Sequence, residues 1–374
     1  MNNSVFLHIV ERLEAFLGKL PESMQKPILH ELTPLKELFL QQRPPRFVLT
    51  GSHPIPLLDF AARIFAPEGG AGEPSRDTLT GLFRWQNVTI GHQGAVEMLD
   101  ARGADEAALG LIREELKTRP ADLFFFLAAE RAAKVATRRE IERLESLVSW
   151  NSEAGTHAKL IELRASAEEG SEASALQEAA VSGSPSIRTS LVGSFPLDGA
   201  LRRTLASELP NEARVEMVRM SGDRAAQKEI AEMLVKSTSA ICTAIGAQPI
   251  PLADLPILTT LQLVMVSGVM YVSGRERSMR AATEFIGALG ANVGLGMILR
   301  EGTRAALKFF PGWGNVVCGM VAGAGTYAIG RAAKVYFIEG ASLKDARRTF
   351  LKTKKERVKV ADRRARKEKV LRDA

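Results

Sequence analysis

The sequence predicts an α/β domain followed by an all-α, glycine-rich helical domain. Short apolar runs bounded by turn residues alternate with helical stretches up to about residue 210, which is the pattern of a mostly parallel sheet. After Leu197 the pattern becomes wholly helical, and uncharged stretches with many glycines follow Pro251. Because the chain has 374 residues, each domain can bury a core of its own.

These patterns divide the chain into four segments. Residues 1–42 are expected to form N-terminal helices, and residues 43–210 the α/β domain. Residues 211–343 are expected to form a glycine-rich helical domain that associates with a membrane, and residues 344–374 a basic helical tail.

The α/β domain begins with an extended segment, since the prolines of Arg43-Pro44-Pro45-Arg46 exclude a helix. We predict a strand at 47–50 that ends at Gly51, then a helix at 57–65 and a loop at 67–74. Later strands are predicted at 87–90, 95–99, 122–129, 159–164 and 187–192, and helices between them at 105–117, 138–148 and 171–181.

The net charge of +7 comes from one part of the sequence. From Lys344 onward there are 14 basic and 5 acidic residues, so this segment carries +9 and the rest of the chain −2. Inferences about partners from charge therefore concern this segment alone. The 2 cysteines and 5 scattered histidines show no metal-ligand spacing, so we expect neither a metal site nor a disulfide framework.

A strand that ends in Gly51 and precedes a helix is the setting of a phosphate-binding loop, G-x-x-x-x-G-K-[ST]. Gly51 is the first glycine of that pattern. Pro56 stands in place of the second glycine, Leu57 in place of the lysine and Leu58 in place of the hydroxyl residue. Proline has no N–H group for a phosphate, and leucine supplies neither charge nor a magnesium ligand. We therefore expect a degenerate, P-loop-like domain without catalytic residues.

This part of the chain resembles Era-like GTPases. Residues 98–103 keep the D-x-x-G pattern through Asp100 and Gly103, and residues 121–126 take the place of the buried strand that follows it. Residues 159–166 stand where the guanine-reading N-K-x-D motif belongs and contain none of it. The resemblance implies a vestigial nucleotide site at Gly51, Asp100 and Gly103. GTP is a ligand only in the alternative that the chain is a divergent GTP-binding protein.

The helical domain resembles the YcjF-like family, a bacterial domain of unknown function that is often found after an Era-like GTPase domain. The similarity lies in residues 245–254, 261–266, 289–294, 310–315 and 321–331. Together with the N-terminal helices and residues 43–46, it extends over most of the chain. It implies an architecture rather than a mechanism.

Three uncharged stretches, residues 255–274, 285–299 and 309–330, favour association with a membrane. As a helix the last would extend over roughly 33 Å, enough for a bilayer core of about 30 Å. Closely packed helices are predicted by pairs of small residues one turn apart, Gly290 with Gly294 and Gly319 with Gly323. The alternative is a soluble helical bundle, which agrees with the mean hydropathy of −0.02.

The basic tail is predicted to be helical because it contains few helix breakers. Its candidates for contact with anionic lipid at the cytosolic side of a membrane are Arg347, Arg348, Lys352, Lys354 and Lys355. The alternative is a solvated helix face without a partner. Nucleic acid is not an expected partner, because Phe350 is the only ring in this segment that could stack on a base.

Together these features favour a non-catalytic pseudo-GTPase scaffold that uses no cofactor. We expect it at the cytosolic face of the bacterial inner membrane, acting through a protein partner or through self-association. Two alternatives stay open. One is a divergent protein that retains affinity for GTP, and the other is a soluble cytoplasmic protein whose helical half serves interaction or dimerisation.

Overall fold

The computed structural model describes residues 22–39, 41–65, 74–76, 81–91, 94–128, 138–164, 189–194, 199–247, 254–290 and 314–373. The chain divides into two compact units. Gln42–Asp223 forms the sheet unit, and the segments before and after it together form the helical unit. This division differs from the expected segments at two places, because residues 22–39 group with the later helices and residues 211–221 group with the sheet.

Strands and helices alternate in the first half of the described chain and helices alone follow, as the sequence predicts. The strands are β1 Arg46–Gly51, β2 Pro74–Arg76, β3 Gln86–Ile90, β4 Gly94–Asp100, β5 Leu123–Ala128, β6 Lys159–Arg164 and β7 Thr189–Ser194. The helices are α1 Glu22–Phe39, α2 Leu57–Phe65, α3 Glu106–Thr118, α4 Arg138–Glu153, α5 Gly199–Glu208, α6 Asn211–Ser221, α7 Arg224–Gly246, α8 Asp254–Val272, α9 Met279–Gly290, α10 Gly314–Ala333 and α11 Leu343–Asp373. A π-helical turn, Lys334–Ile338, continues α10. The helix predicted at 171–181 lies outside the described residues.

The strands form one mixed sheet in the order β2-β3-β4-β1-β5-β6-β7. The five strands from β4 to β7 in that order are parallel, whereas β3 is antiparallel to β4 and β2 to β3. The chain passes from β1 to β4 on one side and then crosses to β5 on the other, so the winding direction reverses at β1. In open α/β sheets, ligands bind at such a point, beyond the carboxyl ends of the strands.

Helices cover both faces of the central strands, which explains why the buried positions of these strands are mostly apolar. Phe47 and Phe125 face α2, where ring centroids lie 5.1 Å apart between Phe47 and Phe65 and 5.4 Å apart between Phe125 and Phe60. Neighbouring strand residues point to the opposite face, so Phe124 packs with the cluster that includes α3 and α4. The rigid core thus fixes the positions at which β1 and its neighbours end.

In the helical unit, α7 and α10 lie side by side, and glycines permit the close approach. A Cβ atom on Gly319 would lie 2.5 Å from the carbonyl oxygen of Thr243, and one on Gly323 would overlap with the Thr243 hydroxyl. Neither position can hold a side chain without a shift of α7. Of the other two predicted packing glycines, Gly290 is the last residue of α9, and Gly294 lies outside the described residues.

The remaining helices pack around this pair. α1 contacts α7, α8 contacts both α7 and α10, and α11 runs along α10. The described helices include none that combines the length and the apolar character needed to cross a membrane.

One ion pair joins α7 to the π-helical turn, between Glu232 and Lys334. Desolvation raises the pKa of the Glu232 carboxyl, but the hydrogen bond and charge of Lys334 outweigh this and lower the pKa below its ordinary value of 4.5. Glu232 therefore stabilises the folded helical unit as a carboxylate.

Candidate functional site

The carboxyl ends of β1 and β4 lie side by side, which brings Gly51 and Asp100 to the same edge of the sheet. Gly103 follows in the turn after β4, with its Cα exposed and a φ of 68°. This edge is where an α/β sheet with a reversal at β1 would bind a ligand. The contacts of each residue decide whether it can do so.

Gly51 has a structural reason to be glycine. Its φ is 93°, and a Cβ atom there would overlap with the carbonyl oxygen of Leu127 on the neighbouring strand β5. Both the left-handed backbone and the close approach exclude a side chain. The glycine is thus explained by strand packing, without a phosphate.

Residues 51–56 connect β1 to α2, and their backbone donors bond to β5 or within the loop; we call this segment the closed loop. The N–H groups of Ser52 and His53 both donate to Leu127 O, at 3.1 and 3.3 Å. The N–H of Ile55 donates to His53 Nδ1 at 3.2 Å. Pro54 and Pro56 have no N–H group. In residues 52–56, each backbone N–H group is therefore either absent or already hydrogen-bonded. In this arrangement the loop has no backbone N–H group left for a phosphate.

Arg102 closes the site from the side of β4. Its Nε and Nη2 donate to the two carboxylate oxygens of Asp100, at 2.7 and 2.6 Å. Its Nη1 donates to the carbonyl oxygens of His53 and Ile55, at 2.7 and 2.8 Å. The guanidinium therefore neutralises Asp100 and fixes the closed loop to the end of β4. Such a fork of bidentate and charge-assisted bonds is among the stronger hydrogen-bond arrangements in proteins.

The first turn of α2 is also unsuited to an anion. Leu57, which stands at the lysine position of a phosphate loop, is 8% exposed and packs into the core. Asp59 lies exposed in the same turn and places a carboxylate at the positive end of the helix. A carboxylate there stabilises the helix and repels a phosphate at the same place.

A second charged network lies at the opposite edge of the sheet. Arg43 forms a bidentate pair with Asp122, at 2.7 and 2.6 Å, and the N–H of Arg46 donates to the same carboxylate at 2.8 Å. The Asp122 side chain is fully buried. Burial lowers the pKa of Arg43, but the hydrogen bonds and charge of Asp122 outweigh it and raise the pKa above its ordinary value. This network fastens the entry of β1 to the start of β5, at the amino ends of these strands.

A cleft of about 290 Å³ lies at the amino end of β4, also away from the closed loop. Glu216 and Arg219 of α6 line it together with the ends of β3 and β4. The Glu216 carboxylate accepts a hydrogen bond from Gln42 Nε2 and lies 3.8 Å from the Arg219 guanidinium. Its polar groups are thus engaged with each other.

The tail residues expected to contact lipid do not share one environment. Arg348, Lys352 and Lys355 are exposed on α11, whereas Arg347 and Lys354 are half-buried. Lys354 Nζ lies 5.8 Å from the centre of the Phe350 ring, and desolvation lowers the pKa of this lysine. Three of the five residues that the sequence suggested are therefore exposed on α11.

Sequence reasoning identified the losses at residues 56–58 but missed Arg102 and Asp122. Arg102 occupies an unspecified position of D-x-x-G, so the motif gave no reason to single it out. Its spacing of two residues from Asp100 allows a bidentate pair, but the sequence gives no sign that the guanidinium also reaches the closed loop.

The described residues contain no group of three or more His, Cys, Asp or Glu side chains that could hold a metal ion. When the sequence was compared with protein-family models and with curated proteins, it matched none of them.

Proposed function

We propose that this chain is a non-catalytic scaffold in which a degenerate GTPase-like unit acts by binding another protein or a second copy of itself. The observation that carries the proposal is the closed loop. Leu127 O accepts the hydrogen bonds of the loop N–H groups that could otherwise bind a phosphate, and Arg102 ties the loop carbonyls to the end of β4. Such a unit keeps the frame of a GTPase as a rigid surface and has no chemistry at its usual site.

The strand order supports the GTPase-like assignment. A central β1 leads into a loop and helix at a reversal of winding, and Asp100 of the D-x-x-G pattern ends the adjacent strand β4. This is the arrangement that the resemblance to Era-like GTPases implies.

The energies of the contacts favour loss of nucleotide binding over a divergent site. Opening the loop would break the two hydrogen bonds that Arg102 Nη1 donates to His53 O and Ile55 O. Freeing the Asp100 carboxylate would break the two further bonds that it accepts from the same guanidinium. A nucleotide would have to break these charged hydrogen bonds before it could bind, and this lowers its net affinity. The alternative of a divergent GTP-binding protein relied on Asp100 and on amides near Gly51, and both are engaged.

We propose further that the protein works at the cytosolic face of the bacterial inner membrane. The apolar residues of α8 and α10 support a peripheral rather than an inserted mode, because Met265, Val269 and Ala328 are buried within the helical unit. The basic helix α11 supports contact with the membrane surface instead.

The proposal predicts that the full chain binds neither GTP nor ATP. Fluorescent nucleotide titration with magnesium should give no saturable signal, and excess nucleotide should leave the melting temperature unchanged. A ligand at 100 times its Kd would add about 2.7 kcal/mol to the free energy of unfolding, which such a melt resolves easily. An intact Era-like GTPase serves as the positive control. Magnesium-dependent binding by this chain would return the divergent GTP-binding protein to first place.

Self-association is tested separately, by analytical ultracentrifugation of the full chain over a range of concentrations. A dimer would favour a second copy of the chain as the partner. A monomer at every concentration would favour a different protein.

A further inference from the structure

Helix α11 has a packed face and an outward face. Ala346 and Phe350 are buried, at 0% and 2% exposure. Two turns further along the same face, the Arg357 guanidinium lies 4.0 Å from the ring centre of Tyr327 on α10. These contacts fix the rotation of α11 about its axis and therefore determine which residues face away from the helical unit.

The outward face carries five exposed cations, Lys344, Arg348, Lys352, Lys355 and Lys359. We call this set the cation stripe. Its members are three or four residues apart, so they lie on one side of the helix along about 22 Å. In the described part of the chain, none of the five forms an ion pair with a carboxylate. Exposed cations elsewhere do so, such as Arg138 with Glu142 and Arg280 with Glu284.

We propose that the cation stripe binds the surface of an anionic membrane. A straight row of unneutralised charges matches a flat layer of anionic headgroups, and each cation near such a surface adds to the affinity. Leu351 lies between Arg348 and Lys352 along the chain and is 45% exposed. An exposed apolar side chain among cations is the combination by which surface-lying helices enter the headgroup layer.

The same face is less suited to nucleic acid. Binding of single strands relies on aromatic rings that stack on bases. Phe350, the ring nearest to the stripe, is 2% exposed and packs inward. The partner class that fits both the charges and Leu351 is therefore anionic lipid.

This assignment rests on the membrane placement proposed above, and it differs from the sequence-based set of contact residues. The proposed contact set adds Lys344 and Lys359. It omits Arg347 and Lys354 because both are half-buried. It does not depend on the closed loop, so nucleotide binding and membrane binding can fail independently.

The test uses the full chain and two kinds of vesicle, phosphatidylcholine alone and phosphatidylcholine with an equal part of phosphatidylglycerol. Cosedimentation should show binding to the anionic vesicles only, and binding should weaken as salt is added. In the variant R348Q/K352Q/K355Q the partition coefficient should fall about 100-fold. Circular dichroism checks that the variant stays folded.

The matched control is K117Q/R138Q/R280Q. It removes the same charge from exposed positions elsewhere, each of which is paired with a carboxylate. Its vesicle binding should equal that of the unmodified chain. If both variants bind vesicles equally well, the stripe assignment is wrong while the membrane placement survives. If the unmodified chain does not bind anionic vesicles, the stripe assignment and the membrane placement are both wrong. Stripe-dependent binding of RNA or DNA at physiological salt would then identify nucleic acid as the partner.

Discussion

At the scale of single residues, Arg102 connects the closed loop after β1 to the end of β4. It pairs with Asp100 at the end of β4 and donates to two carbonyl groups of the closed loop. The Asp100–Arg102 pair is only partly accessible, with side chains 26% and 13% exposed. Arg102 therefore acts both as the counterion of Asp100 and as the clamp of the loop.

Replacing Arg102 with glutamine should lower the free energy of unfolding by about 1–3 kcal/mol, because Asp100 and two loop carbonyls lose a charged donor. The same change at Arg84 should cost less than about 1 kcal/mol. Arg84 pairs with Glu115 at 2.7 Å, but its side chain is 52% exposed. Urea unfolding of the two variants measures the difference. Equal effects would mean that the clamp contributes no more than a surface ion pair.

The residue types at positions 56–58 could be interpreted from the sequence, and the role of Arg102 could not. Pro56, Leu57 and Leu58 lack the required chemistry in any conformation, so residue type alone decides. The hydrogen bonds of Arg102 depend on which acceptors its side chain can reach. Those acceptors are set by the distance between the closed loop and the end of β4. The sequence carries no direct signal for such a distance.

At the scale of secondary-structure elements, local pattern predicted strands well where burial is complete. β5 is a continuous apolar run within the strand predicted at 122–129, and the helix predicted at 57–65 has those bounds in α2. The loop predicted at 67–74 ends at the first residue of β2, and no strand was predicted at Pro74–Arg76. It is a strand because it pairs with β3. Pairing partners, unlike periodicity, are not visible in a single segment.

Close packing of α10 on α7 gives the sharpest prediction at this scale. Changing Gly319 to alanine should destabilise the protein by about 1–3 kcal/mol, because the new Cβ would lie 2.5 Å from Thr243 O and backbone must shift. Changing Gly325 to alanine should stabilise it by up to about 1 kcal/mol, since its Cβ would meet no atom within 4 Å and alanine is the better helix former. Thermal unfolding of both variants compares them directly. Effects of the same sign would argue against the observed alignment of the two helices.

At the scale of the whole molecule, the sheet unit lies, along the chain, between the two segments that form the helical unit. Composition suggested a boundary at residue 210, but α6 belongs with the sheet because it packs on the start of β4. A Cβ atom on Gly94 would lie 2.8 Å from Met220 Cγ. Likewise α1 belongs with α7. Composition changes at the start of a helical region, whereas compact units are decided by long-range packing, and this is why the two divisions differ at residues 22–39 and 211–221.

The insertion predicts where a defect in α1 will be felt. Leu38 is fully buried, so its replacement by alanine should cost about 2–5 kcal/mol. Leu29 lies on the same helix and is 41% exposed, so the same change there should cost less than about 0.5 kcal/mol. Hydrogen exchange should show faster exchange in α7 of the Leu38 variant and unchanged protection in β1 and β5. Loss of protection in the strands instead would show that α1 serves the sheet unit.

The pairing of α1 with α7 also sets the order of events during synthesis. The ribosome releases α1 first, then the whole sheet unit, and only afterwards α7. Since domains fold as units while the chain emerges, the sheet unit can finish while Leu32 and Leu38 still have no partner. Newly made chains therefore pass through a stage in which the sheet unit is folded and the apolar face of α1 is exposed. Exposed apolar surface of this kind is what chaperones of nascent chains bind.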